Sequence, residues 1–279
     1  MTVALVDNGS LEAEAHRNLR SVAATLAARA GRPVAAVSWK HSDRVAPAAL
    51  DGVPAAVLAP WVRARYAAGE REFVFVPFFI SAQGAIGSAL RTDLEKLQAH
   101  LGAFAFSFTA SLATAPQGGV SALSRIVADR IGQVIHDKSL SAPAVIVVDH
   151  GGPAPASAAL RNAVAAEVRR ELGEAIGPLA AASMESPEGP DYTFNRPLLA
   201  EQLRSPGYDR GDVIVAPLFL APGRHAGPAG DLAAIARAAE SAQPGLRCHF
   251  SGLIGTHPQA AEALAEALGR HLASGGTAP

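Results

Sequence analysis

Apolar residues along the chain form two kinds of run, and the two kinds alternate. Short continuous blocks, Val3–Asp7, Val34–Trp39, Glu72–Phe79 and Ala103–Phe108, predict strands buried on both faces. Between them apolar positions recur at helical spacing. In Leu11–Arg29, Leu19, Val22, Ala23 and Leu26 share one face, and Glu12 and Glu14 lie in the first turn, where they complement the helix dipole. Further helices are predicted over about 46–68, interrupted by Pro54 and Pro60, over Ser88–His100 and over Val120–His136. The second half repeats the order. Its strands are Ala144–Asp149, Leu179–Met184, Asp212–Leu220 and Arg247–Ser251, and its helices are Ala156–Leu172, Tyr192–Leu203, Ala229–Glu240 and Pro258–Leu272. Strands alternating with helices imply crossover connections and parallel sheets.

The alternation is also an internal repeat. Val6-Asp7-Asn8-Gly9-Ser10 matches Val148-Asp149-His150-Gly151-Gly152, 142 positions on. The stretch around Lys40 resembles that around Glu185 at an offset of 145, and Val76-Pro77-Phe78-Phe79-Ile80 matches Ala216-Pro217-Leu218-Phe219-Leu220 at 140. Ser111–Pro116 echoes Gly252–Pro258. The polar segment Asp137–Pro143 reads as the linker. The predicted architecture is α/β: two similar domains related by internal duplication, residues 1–138 and 142–279. Each is expected to hold a four-stranded parallel sheet flanked by helices, and Ser274–Pro279 is expected to be a disordered tail.

Composition narrows the function classes. The 279 residues are 49% apolar and carry a formal net charge of −1, so there is no electrostatic reason to expect nucleic acid or an anionic membrane as a partner. Cys248 is the sole cysteine, which excludes an internal disulfide and a cysteine-rich zinc site. The first residues have no basic region and meet Asp7 at once, unlike a signal peptide, and the apolar run Phe73–Ile80 is too short to span a bilayer; a cytoplasmic protein is expected. No G-x-G-x-x-G, Walker or G-x-S-x-G pattern is present, which disfavours nucleotide binding and an α/β-hydrolase.

The candidate chemistry lies in the second half. His150 follows its first strand, Glu185 its second, and His225 lies just past the third. If these strands are parallel neighbours, all three side chains reach the carboxyl edge of one sheet, where open α/β folds bind ligands. Two imidazoles and a carboxylate suit a divalent metal such as Co²⁺, Ni²⁺, Fe²⁺ or Zn²⁺, and also suit proton removal near neutral pH. Gly151, Gly152, Gly223 and Gly227 leave room for a large flat ligand. The first half has Asn8, Lys40 and Ala85 at the corresponding positions, so one copy works and the other is structural. The remaining histidines read as structural or surface residues, with His257 closest to the expected edge.

These residues resemble the class II tetrapyrrole chelatases, in particular the CbiX/SirB sirohydrochlorin chelatases in a two-domain form. The resemblance is carried by the strand ending in His-Gly (Val148–Gly151), by Met184-Glu185-Ser186-Pro187, by the Pro-Leu-Phe-Leu strand running into Gly223-Arg224-His225, and by Leu253–Pro258. It implies ATP-independent insertion of Co²⁺ or Fe²⁺, with Ni²⁺ a further candidate, into sirohydrochlorin in cobalamin or siroheme biosynthesis. The metal is then a substrate, and no organic cofactor is expected. By position, His150, His225 and Glu185 would hold the metal and accept protons. Gly151 and Gly223 would border the macrocycle, and Arg224 and Arg196, with Arg161, would meet its carboxylates. The chain departs from the family in spacing, with six positions from His225 to Asp231 where the family usually has four, and in placing the site in the C-terminal half. A monomer with pseudo-two-fold domains or a homodimer fits equally. The alternatives are a metal or tetrapyrrole carrier without turnover, and a binder of small anions in which His150 only donates a hydrogen bond.

Overall fold

The computed structural model describes residues 1–80, 85–113, 121–227 and 229–275, with 85–87 as backbone only. The Pro116 end of the fourth repeat match, Val120 at the start of one predicted helix, the side chain of Ala85, and 276–279 of the predicted tail lie outside the described residues. The chain divides into two units. Unit 1 is Met1–Thr114 together with Pro258–Pro279, and unit 2 is Ala115–His257.

Unit 1 contains β1 (Thr2–Asp7), α1 (Ala13–Ala30), β2 (Val34–Ser38), β3 (Ala56–Val57), α2 (Leu58–Ala67), β4 (Glu72–Pro77), α3 (Ala85–Leu101) and β5 (Ala105–Phe108). Its sheet has the order β3-β2-β1-β4-β5, with every pairing parallel. α1 stops at Gly31, whose φ of 62° turns the chain left-handed and lets its N–H cap Ala27. One side of the sheet is an aromatic core in which Phe73 meets Phe75 and Phe104, and Phe106 meets Phe108, at centroid separations of 5.4–6.2 Å.

Unit 2 contains α4 (Ala122–Lys138), β6 (Ala144–Asp149), α5 (Pro155–Leu172), β7 (Leu179–Ser183), α6 (Leu199–Gln202), β8 (Gly211–Pro217), α7 (Asp231–Ala242) and β9 (Leu246–Phe250). Its four strands run in the order β7-β6-β8-β9, again all parallel. Val145, Ile146, Val147 and Val148 are each 0% exposed in the central strand β6. Burying such a side chain is worth about 1.5–3 kcal/mol. α4 starts at Ser121, whose hydroxyl accepts from the Ser124 N–H at 3.1 Å.

Four expectations need correction. The helix expected over 46–68 is one short 3₁₀ turn, Pro47–Leu50, the two-residue strand β3 and then α2. β3 pairs with the end of β2, so the first sheet has five strands and not four. The helix expected over Tyr192–Leu203 is a 3₁₀ segment, Pro190–Asn195, and the short α6, because Pro197 lacks the N–H that a continuous helix would need. The domain boundary also differs from a cut at 138–142: α4 packs on α5 in unit 2, and the final helix, α8 (Pro258–Ala273), packs on α1 in unit 1. Arg29–Glu262 at 3.1 Å and Ser107–His271 at 2.8 Å tie α8 into that unit.

The repeat is visible in the backbone of the two carboxyl edges. In unit 2 the Met184 and Glu185 N–H groups donate to the carbonyls of Asp149 and His150 at 2.8 and 3.1 Å. In unit 1 Trp39 and Lys40 donate to Asp7 and Asn8 at 2.8 and 3.2 Å. Gly151 has φ +82°, and a Cβ there would fall 1.8 Å from the Glu185 carbonyl oxygen. Gly9 has φ +87°, and its Cβ would fall 1.7 Å from that of Lys40. Each turn thus requires glycine both for its left-handed backbone and for the close approach.

Candidate functional site

Adjacent parallel strands bring the sequence-predicted residues to the carboxyl edge of unit 2. β6 delivers His150, the turn after β7 delivers Glu185, and the loop after β8 delivers His225. The two histidines meet: their rings are edge-on, with centroids 4.6 Å apart and the two Nε2 atoms 3.3 Å apart. The other nitrogen of each ring is spoken for. His150 Nδ1 lies 2.8 Å from the carbonyl oxygen of Gly151, and His225 Nδ1 lies 2.7 Å from Asp231 Oδ2. A carbonyl and a carboxylate can only accept, so each Nδ1 carries the hydrogen. In the neutral rings both Nε2 atoms therefore point bare lone pairs at one another. That arrangement attracts a cation.

The separation suits a metal. With bonds of about 2.05 Å to both nitrogens, the 3.3 Å spacing gives an N–metal–N angle of about 107°, close to tetrahedral. Glu185 stands on the other side of His150, its Oε1 3.6 Å from Nδ1, and its side chain is 60% exposed. Of the three residues read from the sequence as metal holders, the two histidines thus form a pair and Glu185 stands behind His150, while Asp231, which was not in that set, stands behind His225. Among the described residues, no three His, Cys, Asp or Glu side chains are arranged to hold a metal ion together.

The longer His225–Asp231 loop keeps this partnership. Gly223 N–H donates to the Ala226 carbonyl at 3.0 Å, and the Asp231 and Leu232 N–H groups donate back to Arg224 and His225 at 3.3 and 3.2 Å. The loop folds on itself and opens α7 with Asp231 beside the imidazole. Arg224 is 85% exposed, 3.9 Å from Asp231. Arg196 is exposed and paired with Glu201. Arg161 does not belong to a rim: it is 1% exposed, pairs with Asp149 at 3.3 Å, and also donates to the Ser183 hydroxyl and to the Phe194 carbonyl, the latter at 3.1 Å. Its place on the buried stripe of α5, beside Val164 and Val168, was the sequence signal for that role. His257, the other histidine near the edge, is buried with Nε2 2.7 Å from Asp129.

Sequence reasoning missed Asn195 and Ser183, which carry no motif. Asn195 is 1% exposed and binds the Gly152 backbone. In unit 1 the edge is different in kind. Lys40 Nζ lies 3.9 Å from the Trp39 ring centroid. His16, on α1, is buried with its Nδ1 3.5 Å from the Ser38 hydroxyl, and its pKa is lowered to about 4 by burial and by Arg20. Asp7, which matches Asp149, has its carboxyl pushed up to about 6 by burial, against hydrogen bonds from Ser38 and Gly9.

The CbiX family model matches residues 144–271. No curated protein sequence matches the chain. Among solved structures, it is similar to the sirohydrochlorin chelatase SirB from Bacillus subtilis subspecies spizizenii in complex with cobalt (TM-score 0.67, 13% identity, 98% of this chain and 96% of that one). It is similar also to SirB from Bacillus subtilis with Fe³⁺ (TM-score 0.64, 14% identity, the same coverage). A third is CbiX, described as the terminal enzyme for siroheme biosynthesis in denitrifying bacteria (TM-score 0.58, 19% identity, 97% of this chain and 99% of that one). The chain thus has the fold of those chelatases over nearly its whole length, and the segment that matches the CbiX family model, residues 144–271, carries the histidine pair.

Proposed function

We propose that this protein inserts a divalent metal, Co²⁺ or Fe²⁺, into sirohydrochlorin without ATP, in cytoplasmic cobalamin or siroheme biosynthesis. The carrying observation is the pair of bare Nε2 atoms, 3.3 Å apart, on His150 and His225. Two imidazoles hold a metal while leaving most of its coordination positions to exchangeable water, which suits a metal that must be handed on. No third protein ligand has to be broken.

Insertion places M²⁺ in the macrocycle and expels two pyrrole protons. As the metal leaves, each vacated Nε2 becomes a base at neutral pH, so two histidines match two protons. Each imidazolium that forms is supported on its Nδ1 side by a carboxylate, Glu185 at 3.6 Å and Asp231 at 2.7 Å. The side chains of His150 and Glu185 are 45% and 60% exposed, so the protons pass readily to solvent. Arg224, exposed beside His225, and Arg196 are the cations for the macrocycle's carboxylates, and Gly151 and Gly223 keep the edge low enough for a flat ring.

The test follows sirohydrochlorin metallation by visible absorbance with Co²⁺ and Fe²⁺, for wild type and His150→Ala. The expected result is many turnovers per protein in wild type and near-background rates in the variant. Wild type no faster than the uncatalysed reaction overturns the proposal, and metal or macrocycle uptake that stops at one per protein identifies a carrier.

A further inference from the structure

His150 and Glu185 sit on two different turns, after β6 and after β7, and their separation depends on how those turns are joined. Besides the backbone bond from the Glu185 N–H to the His150 carbonyl at 3.1 Å, one buried side chain spans both turns. Asn195 is buried to 1% exposure in the 190–195 segment, which belongs to neither turn. Its Nδ2 donates to the Gly152 carbonyl at 3.0 Å and to the Ser186 hydroxyl at 3.3 Å, and its Oδ1 accepts from the Gly152 N–H at 3.4 Å. It therefore grips the residue two past His150 and the residue one past Glu185 at once.

The segment that carries Asn195 is itself fixed. Arg161 Nη2 donates to the Phe194 carbonyl at 3.1 Å, while the same guanidinium pairs with Asp149 and Ser183, the last residues of the two strands. The Ser183 N–H donates to the Pro197 carbonyl at 3.1 Å. In unit 1 the matching turns are joined locally by the Ser42 hydroxyl, which accepts from the Ser10 N–H at 3.1 Å. Unit 2 uses instead a buried amide brought in from a separate segment. Burying an amide is costly unless its hydrogen bonds are made, and here three are made, all to the two site turns.

We infer that Asn195 is a positioning residue, held in place by Arg161, that fixes the His150–Glu185 geometry on which proton acceptance depends. This rests on the function proposed above. Outer-shell partners of metal-binding histidines typically contribute about 10–100-fold in activity or metal affinity. Asn195→Ala is therefore expected to lower kcat by about that factor with KM for sirohydrochlorin within about twofold. Because it acts through Glu185, the double variant Asn195→Ala/Glu185→Gln should be about as slow as the worse single variant. Independent multiplication of the two losses, or wild-type kcat in Asn195→Ala, overturns the inference. Should Asn195→Ala fail to fold, Ser186→Ala removes one of the three bonds, and the same coupling to Glu185→Gln is expected on a smaller loss. A second readout uses Co²⁺ alone: its visible ligand-field bands on the histidine pair should shift in position or intensity in Asn195→Ala, and unchanged bands count against the inference. Absence of turnover in wild type would overturn the function, whereas wild-type turnover with an unaffected Asn195→Ala would overturn this inference alone.

Discussion

Asp7 and His16 make opposite demands on pH, and removing either exposes the other. Asp7 is raised from 3.8 to about 6 in the folded state, by burial. Its contribution to stability is complete below pH 4 and is lost as pH rises towards 6, because the unfolded chain gives up the proton first. His16 is lowered from 6.5 to about 4, by burial and by Arg20. Its contribution is complete above pH 6.5 and is lost as pH falls towards 4, because the unfolded chain takes up the proton first. Each shift is about two units or a little more, or about 3 kcal/mol at 1.36 kcal/mol per unit. Over pH 4–6 the two nearly cancel. Asp7→Asn should leave the histidine slope alone, so stability relative to wild type rises by about 3 kcal/mol from pH 4 to 6. His16→Leu should leave the carboxylate slope, a fall of similar size. Both tryptophans, Trp39 and Trp61, lie in unit 1, so urea unfolding followed by tryptophan emission reads this unit directly. Titrations elsewhere are common to all three proteins and drop out of the difference. A variant curve parallel to wild type over pH 4–6 refutes the reasoning.

Other perturbations have equally definite outcomes. Gly151→Ala puts a Cβ 1.8 Å from the Glu185 carbonyl at φ +82°; it should cost at least about 1–2 kcal/mol in a thermal melt and abolish metallation, whereas Gly9→Ala should cost as much and leave the rate of the folded protein near wild type. Arg161→Met strands the Asp149 carboxylate, 13% exposed, without its cation. A loss of about 3–5 kcal/mol is expected in urea unfolding, partly restored by adding Asp149→Asn, and no restoration would count against the pairing. Asp231→Ala removes the acceptor from His225 Nδ1 and should lower kcat about 10–100-fold, read in the absorbance assay; a rate within twofold of wild type would show that the carboxylate is idle.

The sheets and the duplicated edges were legible because strand burial and tight glycine turns are local. The Asn8–Gly9 and His150–Gly151 matches reappear as the same backbone bonds, and the three candidate side chains arrive at one edge. What stayed hidden is long-range. Periodicity shows which face of α4 or α8 is apolar but not which sheet receives it, so the return of α8 to unit 1 had no signal. β3 is two residues long and left no pattern. Asn195 is one polar position within the helix expected over Tyr192–Leu203 until the fold buries it beside Gly152. The carboxylate behind His225 was in view only as a spacing, six positions on, and the loop's internal bonds are what bring Asp231 back to the ring.

On the proposed function, one edge does the chemistry and its counterpart does not. The direct measurement is sirohydrochlorin turnover with Co²⁺ in two paired variants, His150→Ala/His225→Ala in unit 2 and Asn8→Ala/Lys40→Ala in unit 1. Background rates are expected in the first and turnover near wild type in the second. Turnover that survives loss of both histidines, or that is lost with Asn8 and Lys40, would contradict that reading.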